Sequence, residues 1–223
     1  MTKSKKITVI GATGGSGRQT IRALLDQGYK VTAVSRSASK VFGKDVRCID
    51  GSALDKDLLR QAIRGQDAVI VTLGISENPF RVRMAGPART PLNVRSEGTR
   101  RVIEVMKELG VKRLLVQTTY GSGPSRNLLR PVDRLFFSLL LKPQIDDTEK
   151  QDRFVRDSGL AWTITQPVHL KDDASAEDQL LTAYDSAVGQ WGISRTLVGR
   201  YTAQAVVDDS TVGKTVALST AQN

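Results

Sequence analysis

A run of glycines near the start of the chain has the spacing of an anion-binding turn. Gly11-Ala12-Thr13-Gly14-Gly15-Ser16-Gly17 follows the apolar residues 7–10 and precedes a segment with apolar residues at helical spacing. In such turns the glycines permit a tight bend, close approach of a diphosphate to the backbone, and close packing of strand and helix. Amides at the helix N-terminus then face the anion. The pattern predicts a dinucleotide site; the alternative is a turn that is only rich in glycine.

The end of the second predicted strand, at residues 31–34, indicates which dinucleotide would bind. A carboxylate at this position would bind the ribose hydroxyls of NAD, but the chain has Ser35 and Arg36 here. The planar guanidinium of Arg36 suits a 2′-phosphate. Residues that could assist it are Arg18, Ser37, Ser39 and Lys40. The sequence therefore predicts NADPH (NADP) as the cofactor, the alternative being that Arg36 is a solvated surface charge.

Several short motifs later in the chain resemble those of one known family. They are the glycine turn with its G-x-x-G-x-x-G spacing, Ile49-Asp50-Gly51, Val71-Thr72-Leu73-Gly74, Gly98-Thr99, Gly110-Val111-Lys112-Arg113, and Ser158-Gly159-Leu160-Ala161-Trp162-Thr163-Ile164 through Pro167. Together they resemble atypical short-chain dehydrogenase/reductases, and among these the NAD(P)-binding NmrA-like proteins. Leu73-Gly74 with Gln166-Pro167-Val168-His169 is more narrowly similar to the biliverdin-IXβ reductase/flavin reductase type.

The resemblance implies roles for residues that follow the predicted strands. Asp50 matches the position beside the adenine ring, although it could equally be a turn aspartate, and Gly51 of the same motif is a further cofactor-binding candidate. Leu73, Gly74 and Ile75 match the residues that border the adenosine ribose and the diphosphate. Thr118 matches the position near the nicotinamide, and Pro167 matches the residue that borders that ring. The resemblance thus implies one cofactor lying across the ends of neighbouring strands.

The catalytic pair of ordinary short-chain dehydrogenases is absent. That pair is Tyr-x-x-x-Lys, in which the lysine lowers the tyrosine pKa. None of the tyrosines (Tyr29, Tyr120, Tyr184 and Tyr201) has a lysine four residues later. The candidates for chemistry are therefore Tyr120, Thr118 and His169. The structural alternatives are a half-buried aromatic ring for Tyr120 and a packed, hydrogen-bonded imidazole for His169.

Two functions are compatible with a cofactor site that lacks the pair. The first is an NADPH-dependent oxidoreductase that reduces a planar conjugated acceptor, such as a flavin, a quinone or a tetrapyrrole-like compound, because for such acceptors the protein mainly positions the reacting rings. The second is a non-catalytic NADP(H)-sensing regulatory protein of the NmrA-like type. A weaker third alternative is a descendant that has lost the cofactor.

The elements that must position these residues alternate between strand and helix. Apolar strand-like runs at 7–10, 31–34, 46–49, 68–73, 114–116, 162–165 and 216–218 are separated by amphipathic helical segments. This alternation predicts an α/β fold, a Rossmann-like doubly wound parallel sheet with helices on both faces. No linker divides the chain, so we expect a single domain over 1–223, with a substrate pocket built from loops 75–91, 120–148 and 168–193.

The positive charge of the chain is concentrated in its first half. Residues 1–111 hold 20 lysines and arginines against 10 acids, and the arginine-rich segment 81–101 holds six arginines against one acid, Glu97. This segment could recognise an anionic substrate or a cofactor phosphate, or it could be a solvated surface. Aromatic residues are not interleaved with the charges, and no nucleic-acid motif is present, so nucleic-acid binding is not expected.

The cysteine and histidine content and the absence of long apolar runs indicate where the protein acts. With one cysteine, Cys48, and one histidine, the 223-residue chain is not expected to hold disulfides or a metal site. It has no signal-peptide pattern and no apolar run long enough to span a membrane. We therefore expect a cytoplasmic protein, a monomer or homodimer, whose partner is a small-molecule substrate and not a membrane.

Overall fold

A computed structural model describes residues 4–74, 91–128, 142–172, 178–184 and 187–221 of the chain. The strands are β1 (Lys6–Ile10), β2 (Lys30–Ser35), β3 (Val46–Asp50), β4 (Ala68–Val71), β5 (Arg113–Gln117), β6 (Ala161–Pro167), β7 (His169–Lys171), β8 (Leu180–Ala183), β9 (Gly192–Ser194) and β10 (Lys214–Thr220). The α-helices are α1 (Gly15–Asp26), α2 (Lys56–Ile63), α3 (Val94–Leu109), α4 (Lys142–Arg156) and α5 (Arg195–Ala205). Strands and helices alternate along most of this length, as predicted.

Eight of these strands form one twisted sheet in the order β3-β2-β1-β4-β5-β6-β10-β8. All neighbours are parallel except β10 and β8, which are antiparallel. The strand order reverses direction between β1 and β4, which is the point where ligands bind in doubly wound sheets. The predicted fold class is confirmed. A separate parallel pair, β7 and β9, lies beyond the end of β6.

Helices cover both faces of the sheet and bury two apolar cores. On one face, α2, α3 and α4 pack over a cluster that includes Leu59, Val102 and Val155. On the other face, α1 and α5 pack over a cluster that includes Ile21 and Ala203. Strands buried on both sides are expected to be continuous apolar runs, as β4 is.

Some element boundaries differ from the prediction. The sequence predicts a helix over residues 149–157, but α4 begins at Lys142. The polar residues before Glu149 give no apolar periodicity, although some of them, such as Asp147, are buried against α3. Strand β4 ends at Val71 and not at Leu73. The short strands β7, β8 and β9 were not predicted. The apolar run 135–141 lies outside the described residues. Within the described part of the chain, no helix is long and apolar enough to cross a membrane.

Candidate functional site

A cavity of about 1030 Å³ lies along the carboxyl ends of the sheet strands. It begins beside Ser35 and Arg36 at the end of β2, passes the glycine turn after β1, and reaches Thr118 and Pro167 at the ends of β5 and β6. The cavity therefore crosses the point where the strand order reverses. A site at this edge is where a doubly wound sheet binds a nucleotide.

The glycine turn is held so tightly against its neighbours that side chains do not fit at two positions. Gly11 has φ +87°, and a Cβ there would lie 2.7 Å from the carbonyl oxygen of Thr72. A Cβ on Gly17 would lie 2.5 Å from the carbonyl oxygen of Gly11. Glycine is the residue that permits both the left-handed backbone and this close packing. The turn thus has the shape that the spacing predicts.

The amides at the start of α1 are available to an anion in the cavity. The residue that precedes the helix is Gly14, which has no side chain to cap these amides, and the first turn contains no acidic residue. Both Gly14 and Gly15 line the cavity. Uncapped amides and the positive end of the helix dipole favour a phosphate group at this place.

Arg195 adds a cation above the glycine turn that the sequence analysis did not identify. It is the first residue of α5, and its Cδ and Nε atoms lie 2.7 Å from where a Cβ on Gly15 would be. Its guanidinium donates to Oδ1 of Asp172 at 2.5 Å. Ser194 before it caps α5, because its hydroxyl accepts from the Leu197 amide at 3.2 Å. Only the packing of α5 against α1 shows that Arg195 reaches this turn.

The end of β2 offers polar and positive groups to the cavity. Ser35, Arg36 and Ser37 all line it, with Arg36 exposed. Asp50, in contrast, is not among the lining residues: its carboxylate accepts hydrogen bonds from the backbone amide and the hydroxyl of Ser39. These bonds hold the pKa of Asp50 below its ordinary value. The aspartate thereby fixes the turn after Arg36, so the turn-aspartate interpretation describes it.

Thr118, Tyr120 and Pro167 meet at the other end of the cavity. The Thr118 amide donates to the Thr165 carbonyl at 2.9 Å, and the Tyr120 amide donates to the Pro167 carbonyl at 3.0 Å. These ladder bonds continue β5 and β6 past their ends and fix the three residues relative to one another. All three line the cavity. The arrangement gives a rigid wall at the place that the family resemblance implies for the nicotinamide.

A buried carboxyl lies behind Thr118. Asp152 is 3% exposed, and its Oδ2 atom lies 3.5 Å from the Ser122 hydroxyl and 3.4 Å from Nε2 of Gln166. Burial raises the pKa of Asp152 to about 6, while the charge of Arg156 and the nearby hydroxyls of Thr118 and Ser122 oppose that rise. The sequence analysis did not identify Asp152, because nothing local distinguishes it from the other acids of α4.

Aromatic side chains also line this end of the cavity. The rings of Tyr120 and Trp191 meet edge to face, with centroids 5.6 Å apart and planes at 88°. Burial raises the pKa of Tyr120, so its hydroxyl stays protonated at neutral pH. His169, the first residue of β7, is exposed at the cavity mouth. Apolar and aromatic surfaces of this kind bind flat conjugated molecules.

The structure brings most of the predicted site residues to this one cavity. Those that line it are Gly11, Thr13, Gly14, Gly15, Ser16, Ser35, Arg36, Gly51, Leu73, Gly74, Thr118, Tyr120, Pro167 and His169. Gly17 packs beneath the turn, and Arg18 supports it by donating from Nε to the Thr13 carbonyl at 2.9 Å. Ile75 lies outside the described residues. Lining residues that were not singled out by number include Gln144, Ile145 and Trp191, from the segments 120–148 and 168–193 expected to build the pocket, Arg95, from the arginine-rich segment 81–101, and Arg195, which lies outside every segment expected to line it.

This fold and this cavity define a dinucleotide-binding protein of the Rossmann type. The chain belongs to the NAD(P)H-binding family, whose model it matches over residues 11–209. The predicted NAD(P)-binding family is thereby confirmed. A nicotinamide dinucleotide as the cofactor is confirmed as well.

Relatives by sequence include proteins of bacteria and plants. The chain is 32% identical to the uncharacterised protein YwnB of Bacillus subtilis over 175 residues, which are 76% of this chain and 74% of YwnB. It is 26% identical over 223 residues to an uncharacterised chloroplastic protein of Arabidopsis thaliana (96% and 76%). An NAD(P)H azoreductase of Xenophilus azovorans is 25% identical over 164 residues (72% and 47%).

Solved structures share the fold at low sequence identity. ChuY, an anaerobillin reductase of Escherichia coli O157:H7, superposes with a TM-score of 0.76 at 20% identity, over 96% of each chain. A short-chain dehydrogenase/reductase of Veillonella parvula in complex with NADP gives 0.76 at 17% identity, over 97% of this chain and 95% of that one. These likenesses support the Rossmann-like architecture.

Proposed function

We propose that the protein is an NADPH-dependent reductase of planar conjugated acceptors. The observation that carries the proposal is the continuity of the cavity. A cradle for a diphosphate, with a polar and positive end at Arg36, opens without interruption onto a pocket between Thr118 and the aromatic pair Tyr120 and Trp191. One molecule of the reduced dinucleotide and one flat acceptor would lie next to each other in such a space.

The preference for NADPH over NADH rests on the end of β2. A 2′-phosphate there would meet Arg36, with the hydroxyls of Ser35 and Ser37 on either side. No carboxylate of the described residues lines that end, since Asp50 turns its side chain to Ser39. A guanidinium binds a phosphate through paired charge-assisted hydrogen bonds. The Veillonella parvula structure in complex with NADP is consistent with this preference.

The bound cofactor supplies a hydride, which reduces the acceptor together with one proton and leaves the cofactor as NADP. The protein contributes by positioning the two reacting rings next to each other. The rigid wall of Thr118 and Pro167 would hold one reacting ring, and the edge-to-face pair of Tyr120 and Trp191 would bound the other. The proton would come from the Tyr120 hydroxyl, which burial keeps protonated, or from solvent near His169 at the mouth.

An acceptor of this kind suits a site without Tyr-x-x-x-Lys. Reduction of a carbonyl to an alcohol needs a positioned acid for the developing alkoxide, whereas a conjugated ring spreads the incoming charge. The described part of α4 presents Gln144 and Ile145 to the cavity, neither of which can protonate an alkoxide. Two relatives named for the reduction of conjugated compounds, the azoreductase and ChuY, point to the same class of acceptor.

The test is turnover by purified protein. NADPH oxidation should be followed with a flavin, a naphthoquinone, biliverdin and an azo dye, each with and without protein. The Gly17→Ala variant serves as the control, because its added methyl group would clash with the turn and abolish the cofactor cradle. We expect turnover with at least one acceptor and none with the variant. Tight NADPH binding without turnover of any acceptor would overturn the reductase proposal and favour an NADP(H) sensor.

A further inference from the structure

The described charged residues that line the cavity are all positive. Among the described residues that line it there are three arginines, Arg36, Arg95 and Arg195, and no aspartate, glutamate or lysine. The arginines are also well separated along the cavity: Arg36 follows β2, Arg195 crosses the glycine turn after β1, and Arg95 lies beside Gly74 after β4. Three separate cations suit a set of ligands with three separate anionic groups.

The proposed cofactor accounts for two of these cations. A 2′-phosphate would lie at Arg36, and the diphosphate would lie between the amides of α1 and Arg195. Beyond the diphosphate, the cofactor continues to its nicotinamide ribose and nicotinamide, which carry no negative group. Arg95 lies between Gly74, after β4, and Thr148 on α4. With Arg36 and Arg195 assigned to the phosphates of the cofactor, Arg95 is the cation left for an anionic group of a second ligand.

The surroundings of Arg95 do not neutralise it directly. One guanidinium nitrogen donates to the Thr148 hydroxyl at 2.8 Å, and Nε is buried with no hydrogen-bond partner in the described structure. The nearest acid, Asp147, accepts instead from the backbone amides of Arg95 and Ser96, and from the Ser96 hydroxyl. Burial lowers the pKa of Arg95, and only the charge of Asp147 opposes that effect.

A buried cation of this kind is costly unless a ligand completes its hydrogen bonds. Its second terminal nitrogen lies 3.8 Å from where a Cβ on Gly74 would be, so the guanidinium borders the open side of the β4 turn. Gln144 and Ile145, one turn before Thr148 on α4, continue the cavity lining from Arg95. A flat molecule in the pocket could thus place a substituent on the guanidinium.

We propose that Arg95 is the anion-binding group of the acceptor site, so that the acceptors are planar conjugated acids carrying a carboxylate or a sulfonate. This inference rests on the proposed function, because it names the substrate class of that site. The carboxylate would accept from the second terminal nitrogen of Arg95, which borders Gly74, while the aromatic body lies toward Tyr120 and Trp191.

Binding of a matched pair of ligands tests the proposal without turnover. The probes are 2-naphthoate and its uncharged isostere 2-naphthamide, titrated calorimetrically into the full chain with and without saturating NADP. We expect naphthoate to bind at least about tenfold more tightly than the amide, as a charge-assisted hydrogen bond requires. Equal affinities of the wild-type protein for the two ligands would overturn the proposal.

Variants test whether the preference for naphthoate over naphthamide depends on Arg95. In Arg95→Gln the affinity for naphthoate should fall about tenfold and that for the amide by less than about threefold, while Arg95→Lys should recover part of the preference. The control is Arg100→Gln, on the same helix, where the arginine pairs with Glu97 and Glu104 at the surface. The preference should persist there. A preference that survives in Arg95→Gln, or an Arg95→Gln variant whose main loss is NADP affinity, would overturn the assignment.

The two proposals fail in distinguishable ways. Turnover of quinones or azo dyes at equal rates with and without a carboxylate or sulfonate substituent would support the reductase proposal. It would contradict the proposed role of Arg95. If the protein prefers naphthoate through Arg95 but oxidises no NADPH, the anion site is supported and the reductase proposal is wrong.

Discussion

Arg195 lies directly across Gly15. The Cδ and Nε atoms of the arginine stand 2.7 Å from the position that a Cβ on this glycine would occupy, so the absence of a side chain lets the guanidinium cover the start of α1. The first residue of α5 is thereby placed over the first turn of α1, although 180 positions separate them. Helix amides from below and a guanidinium from above enclose the space where a diphosphate would bind.

This relationship predicts that Arg195 contributes to cofactor affinity. Arg195→Gln should weaken NADPH binding about tenfold, because one charge-assisted contact to the diphosphate is lost. Asp172→Asn is the comparison, since it removes only the exposed partner of Arg195 and should change the affinity by less than about fivefold. Calorimetric titration with NADPH measures both. Equal affinities of wild type and Arg195→Gln would show that the guanidinium does not contact the cofactor.

Arg36 should determine the choice between the two dinucleotides. Arg36→Ala is expected to lower NADPH affinity about tenfold or more and to leave NADH affinity nearly unchanged, because only NADPH carries the 2′-phosphate. The ratio of the two dissociation constants is the measurement. Arg47→Ala, at a cation on β3 whose guanidinium donates instead to the Gln61 carbonyl, is the control for loss of charge. A ratio unchanged in Arg36→Ala would make Arg36 a surface charge only.

Gly17 should tolerate no side chain. A Cβ there would lie 2.5 Å from the Gly11 carbonyl oxygen and 2.8 Å from that of Ala12, which are backbone atoms held by the sheet. Gly17→Ala should lower the free energy of unfolding by about 1–3 kcal/mol and abolish NADPH binding. In Gly43→Ala, where nothing lies within 4 Å of the new methyl group, both quantities should remain unchanged. Urea unfolding and cofactor titration test the pair; a Gly17→Ala protein that binds NADPH normally would contradict this account of the turn.

Asp152 should make stability depend on pH. Its pKa in the folded protein is raised to about 6 by burial, above the ordinary value of 3.8, so folding favours the protonated carboxyl. This contribution is present below about pH 4 and is lost as the pH rises through 6, with a total of about 3 kcal/mol. Asp152→Asn should therefore unfold at higher denaturant than wild type at pH 8 and lose the advantage toward pH 4.

The control for this prediction is Asp146→Asn, at an exposed carboxyl on the same helix. It should keep the wild-type decline of stability between pH 4 and pH 8. The charged groups that act on Asp152 are Arg156 and Glu149 on α4, and the hydroxyls of Thr118 and Ser122 face it from the end of β5 and the following turn. The prediction would be wrong if the denaturant midpoints of wild type and Asp152→Asn changed by the same amount between pH 4 and pH 8. Equal changes would show that folding does not raise the pKa of Asp152.

The parts of the site that could be predicted are those encoded by adjacent residues. The strand, glycine turn and helix around Gly11 and Gly17 depend on backbone geometry that a few neighbouring residues determine. The Ser194 cap and the polar end of β2 at Arg36 are local in the same way. The helix α4 was predicted too short, because Asp147 and Thr148 are polar yet buried, which reverses the usual relation between polarity and exposure.

Apolar runs and glycines a few residues apart were enough to predict the class of fold, the nicotinamide dinucleotide and a turn shaped for a diphosphate. Asp152 and Arg195 carry no local signal of their place at the cavity or in its wall, and Arg95 and Trp191 were expected there only as members of the segments 81–101 and 168–193. Their side chains come from helices and short strands distant along the chain, and only the ordering of parallel strands and the packing of helices on both faces brings them to one edge of the sheet.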